Sequence, residues 1–85
     1  MTINIGLLSN IDSIHTTELG LMRIRRNLGL SHEVDAVAYC KEIIKSADAI
    51  ERRGKNWYAH IGDVIITVNA SSLGIITAHR EKPKE

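Results

Sequence analysis

Two histidines near the end of the chain, His60 and His79, have the side chain best suited to moving protons at neutral pH. An imidazole with a pKa near 6.5 both accepts and donates there. Around them stand a phenol (Tyr58), two hydroxyls (Thr67, Thr77) and an amide (Asn69), with the cations Arg53, Lys55 and Arg80 nearby. Metal-independent RNA cleavage needs this set: a base for the ribose 2′-hydroxyl, an acid for the leaving 5′-oxygen, and donors or cations for charge developing on phosphorus. In that chemistry His79 and His60 are the acid–base pair and Lys55, Arg53 or Arg80 holds phosphate. Tyr58 stacks a base, and Thr67, Thr77 and Asn69 line the binding surface.

The chemistry requires elements that bring these residues to one surface. Asn56–Ile61, the β-branched run Val64–Asn69 and Ile75–His79 read as strands, with a weaker alternation over 49–53. Gly54-Lys55, Gly62-Asp63 and 70–74 supply short turns, so the strands form an antiparallel meander. Alternation assigns Trp57, Ala59, Ile61, Val64, Ile66, Val68, Ile76 and Ala78 to a core face. The other face receives Tyr58, His60, Ile65, Thr67, Asn69, Ile75, Thr77 and His79. An ordinary solvated sheet face is also rich in Thr, Tyr and charge, so composition alone does not distinguish a site from a surface.

The first half reads as helix. Thr16 or Thr17 caps a segment over about 17–28, with Glu18 in its first turn, Arg25 and Arg26 in its last, and Gly29 as the stop. Ser31 caps a second helix over about 32–46, and a short helical turn is expected over about 3–9. Helices followed by a meander predict an α+β fold: two principal helices on one face of a four-stranded antiparallel sheet.

Other reactive residues have plainer readings. His15 and Glu18 are three apart, as a metal pair would be, but two ligands do not make a zinc site; no metal or other cofactor is expected. Arg23, Arg25 and Arg26 read as solvated helix surface or as a phosphate-binding rim. Cys40, the single cysteine, reads as a small buried hydrophobe.

Eighty-five residues allow one domain, expected over 1–80 with a frayed charged tail at 81–85. That length excludes a two-domain enzyme with a separate cofactor domain. The hydrophobic fraction is 44% and the charged fraction 25%, which is globular composition. Residues 1–48 carry five Lys/Arg against six Asp/Glu, and 49–85 carry six against four, giving a net charge of +1. Binding of long nucleic acid through phosphates usually needs more positive charge; an enzyme touching a few phosphates does not. The lone cysteine and the absence of a signal-peptide pattern or an apolar run of about 20 residues point to a cytoplasmic protein off the membrane.

The blocks Ile14-His15-Thr16-Thr17-Glu18-Leu19-Gly20, Arg23-Ile24-Arg25-Arg26-Asn27-Leu28, Gly54-Lys55-Asn56-Trp57-Tyr58, Ile66-Thr67-Val68-Asn69-Ala70 and Ile75-Ile76-Thr77-Ala78-His79 occur in that order. Together they resemble the family known as domain of unknown function 3781, over roughly residues 11–80. The resemblance implies a small stand-alone bacterial protein and no assigned activity. The order of helices and strands also resembles the fold of barnase, colicin-type and RelE-type ribonucleases, a likeness of architecture that transfers no residue. Two functions follow as expectations: an RNA-directed, metal-independent ribonuclease using the sheet face, or a non-catalytic module whose face or edge, with Ile65 and Ile75, binds a protein partner or a second copy.

Overall fold

The computed structural model describes residues 5–81 of the chain. Three helices precede the sheet: α1 (Ile5–Ser9), α2 (Glu18–Leu28) and α3 (Ala36–Lys45), with one 3-10 turn at Ile11–Ser13. Four strands follow, β1 (Ala49–Arg53), β2 (Asn56–Ile61), β3 (Val64–Asn69) and β4 (Ile75–Arg80), paired antiparallel in chain order. The α+β fold and the meander are as the sequence predicts. The short helical turn is present as α1, while residues 3 and 4 of that expectation lie outside the described residues. So do 82–85 of the charged tail; Glu81 is held, its N–H donating to the Asp63 carbonyl at 2.6 Å.

Helix α2 forms where its end signals place it. The Thr17 hydroxyl accepts from the Gly20 N–H at 3.1 Å, and Glu18 sits in the positive first turn. Gly29 ends the helix at φ 69°, a left-handed conformation that side chains with a Cβ rarely adopt, and the Leu30 N–H reaches back to the Arg25 carbonyl at 2.9 Å. Helix α3 begins four residues later than Ser31 predicts. Asp35 is its cap, accepting from the Ala38 N–H at 3.1 Å. Residues 31–34 are held as a turn: the Val34 N–H donates to Ser31, and the Arg25 guanidinium donates to the Val34 carbonyl at 3.0 Å.

Both principal helices cover the same face of the sheet, α2 over β4 and α3 over β2. Between them lies one core containing Leu7, Ile24, Cys40, Ile44, Ile66 and Val68, all essentially inaccessible. In the central row Ile66 is flanked by Ala59 and Ala78, both fully buried. These alanines let the helices approach closely, and Ile66 fills the space between.

One strand departs from simple alternation. Val68 pairs with Ile75 and Thr67 with Thr77, so Ile76 is an extra residue in a bulge. The bulge reverses the predicted faces of two residues: Ile75 is buried in the core and Ile76 is exposed.

The outer edge of β4 is occupied. The Ile75 N–H donates to the His15 carbonyl at 2.7 Å, and the His15 N–H donates to the Leu73 carbonyl at 3.2 Å. The Thr16 hydroxyl donates to the Ile75 carbonyl and the Asn27 amide to the Ala78 carbonyl, each at 3.2 Å. Edge groups that would otherwise invite another strand are thus used within the chain.

Gly20 is part of this arrangement. It is buried, and a Cβ there would run into the Thr16 hydroxyl. Gly→Ala in a helix interior normally gains about 0.5–1 kcal/mol. Here Gly20→Ala is expected to lose about 1–3 kcal/mol, because Thr16 must leave Ile75 or α2 must shift. Urea unfolding measures it, and a stabilised variant would contradict the packing described.

Candidate functional site on the open sheet face

The helices leave the second face of the sheet uncovered. Its residues stand in three cross-strand rows. Ala49, His60, Ile65 and His79 form the first, Glu51, Tyr58, Thr67 and Thr77 the second, and Arg53, Asn56 and Asn69 the third. His60 and His79 therefore share a face and a row, separated by the strand that carries Ile65. At two inter-strand spacings their Cα atoms are roughly 10 Å apart.

His60 has a partner that sequence reasoning did not single out. Its Nε2 lies 3.2 Å from Glu51 Oε2. The nitrogen is shielded from solvent, and the contact is a close ion-pair approach rather than an aligned hydrogen bond. Glu51 reaches His60 as a diagonal cross-strand neighbour. Its other oxygen lies 3.5 Å from Arg53 Nε, and the Arg53 guanidinium stacks 4.7 Å from the Tyr58 ring centre. Tyr58 OH also meets the Asn56 amide at 3.4 Å. Tyr58, Arg53, Glu51 and His60 thus form one continuous contact chain. A proton on Nε2, facing the carboxylate, leaves Nδ1 with the lone pair. The signal for Glu51 was its place two residues before Arg53 in a strand whose register the Gly54-Lys55 turn fixes.

The remaining predicted residues separate into groups. Thr67 is buried in the floor of the face, with Thr77 half-buried beside it. Asn69 is spent on the loop: its Oδ1 accepts from the Ser71 and Ser72 N–H groups, both at 2.9 Å. Lys55 and Asn69 meet Arg52, Ala70 and Ser71 in a groove of about 390 Å³ at the turn end of the sheet. Asn56, at that end, is four residues from His60 along β2, about 13 Å away. Arg80 alternates off the His79 face and its Nη1 lies 3.3 Å from Asp63 Oδ1. The histidines are therefore together, Arg53 is within the contact chain, and Lys55 and Arg80 lie at opposite ends.

Outside this face, His15 and Thr17 do structural work. His15 Nδ1 lies 3.0 Å from the Ser13 carbonyl and Thr17 caps α2. Among the described residues no cluster of three or more His, Cys, Asp or Glu could hold a metal. Burial pushes the Cys40 thiol up to about 12, which leaves it protonated and inert at neutral pH.

Fold and face together define a two-layer α+β protein with an open, imidazole-bearing sheet. Residues 8–79 match the family described as a protein of unknown function, DUF3781, and the chain belongs to that family. No curated protein and no solved structure matches it, so the architectural likeness to ribonucleases gains no support from known folds. Among the described residues no helix is long and apolar enough to cross a membrane.

Proposed function

We propose that the protein is a metal-independent ribonuclease acting on single-stranded RNA laid across the open sheet face. The observation that carries this reading is the Glu51–His60 pair with His79 in the same row. Above Ile65, a scissile phosphate sits between the two imidazoles. His60 Nδ1 takes the proton of the 2′-hydroxyl, whose oxygen attacks phosphorus. The P–O5′ bond breaks, and protonated His79 gives its proton to the leaving oxygen. The products are a 2′,3′-cyclic phosphate and a 5′-hydroxyl. Glu51 orients His60 and stabilises its imidazolium, following the base-and-orienter logic of acyl-transfer triads. Arg53, held against Glu51 and Tyr58 on this face, supplies a guanidinium for the developing charge. Arg52 and Lys55 hold a neighbouring phosphate in the groove beside Ser71. A reducing bacterial cytoplasm suits the single thiol.

The test is cleavage of structured and unstructured RNA by purified protein in excess EDTA. His79→Ala and His60→Ala, each shown to be folded by circular dichroism, are expected to lose at least ~100-fold. Glu51→Gln should lose less and shift the pH profile of the remaining activity. No cleavage by wild type, or equal residual cleavage by all variants, would overturn the proposal.

A second reading rests on a different observation. Ile65 lies between the histidines and Ile76 is exposed at the β4 bulge, an arrangement suited to a protein partner or homodimer. Ile75, expected to contribute, is in the core instead. On this reading light scattering finds a dimer that Ile65→Lys dissociates.

A further inference from the structure

A second candidate site lies on the helical layer, away from the sheet face. At the C-terminal end of α2, Met22, Arg25, Arg26, Leu30 and His32 line a groove of about 320 Å³. Three features give it binding character. Met22 is 66% exposed, the most exposed large apolar side chain among the described residues, and a flexible thioether adapts to varied apolar groups. Arg25 is fixed in place by donating from Nη2 to the Val34 carbonyl at 3.0 Å and the His32 carbonyl at 3.4 Å. Its Nε is sealed from solvent without a hydrogen-bond partner among the described residues, so a ligand meets the outer end of the guanidinium. Among the described residues neither Arg25 nor Arg26 meets a carboxylate; the ion pairs there involve Lys45, Arg53, His60 and Arg80.

Two guanidinium groups without counter-ions beside an apolar wall complement a ligand with both properties. We infer that this groove binds a small amphipathic oxyanion, a phosphate or carboxylate head bearing a short apolar tail. The head meets Arg25 and Arg26, with His32 at the rim, and the tail lies against Met22 and Leu30. This inference is independent of the proposed RNA chemistry, which uses the opposite face.

The test is titration of 15N-labelled protein with octyl phosphate below its micelle concentration, beside inorganic phosphate and octanol at the same concentrations. Octyl phosphate should give saturable amide shifts centred on Met22, Arg26 and His32. Arg26→Gln and Met22→Gln, both at exposed positions, should each weaken it at least about fivefold while leaving the circular dichroism spectrum and urea midpoint unchanged. Inorganic phosphate and octanol should each bind more weakly. No saturable shift, shifts centred on the sheet face, equal binding of inorganic phosphate, or unchanged affinity in both variants would overturn it.

Discussion

Ile66→Ala is expected to cost about 2–5 kcal/mol, at the upper end of that range. Ile66 is fully buried in a central strand, and its row neighbours are Ala59 and Ala78. Those neighbours have no rotamer with which to fill the void, and the helices above are held by the rest of the core. A domain of this size has roughly 4–13 kcal/mol in total, so the variant loses a large share of its stability. Urea unfolding measures it, with Ile66→Val as a graded control expected to lose about 0.5–1.5 kcal/mol. A loss below about 1 kcal/mol for the alanine variant would mean that the layers close over the gap.

The second large effect concerns alkaline pH. Cys40 is fully buried on α3, and burial raises its thiol from 9.0 to about 12. The unfolded chain releases this proton more readily than the folded one. The thiol's contribution to stability is therefore complete below about pH 9 and is lost as pH rises towards 12. The loss is about 1–2 kcal/mol for each pH unit within that window. Unfolding curves at pH 8, 10 and 11, compared with Cys40→Ala, isolate the effect: wild type should fall more steeply than the variant. Iodoacetamide should modify Cys40 only on unfolding. Rapid alkylation of the folded protein at pH 8, or parallel pH profiles, would contradict a sealed thiol.

Much of the architecture was legible because local signals agreed with the tertiary arrangement. Thr17, Glu18 and Gly29 bound α2, and the Gly54 and Gly62 turns set the hairpins. At two places contacts between elements override the local signals. Ser31 is as good an intrinsic cap as Asp35, but Arg25 captures the His32 and Val34 carbonyls and holds that segment out of the helix. Ile75 and Ile76 are equally apolar, and only the bulge beside Thr67/Val68 decides which enters the core. The shared face of His60 and His79 followed from alternation. The Glu51 contact required the β1–β2 register; alternation alone takes Arg80 off the His79 face, and only its Asp63 partner needed the tertiary arrangement. Asn69 carries no sequence mark that distinguishes a ligand-facing amide from one spent on its own loop.

The contacts of His15 and Thr16 with the start of β4 have a kinetic meaning. Thr16 and Ile75 are 59 residues apart, so this clasp closes only after most of the chain has been gathered. Loop closure of that span is entropically costly before it is rewarded, which places the clasp late in folding. Once closed, it ties the lead-in to α2 and the last strand into a single cooperative unit. The edge of β4 then cannot fray without loosening the N-terminal cap of α2. Amide exchange at Ile75 should accordingly track global unfolding rather than local breathing, although its strand lies at a border of the sheet.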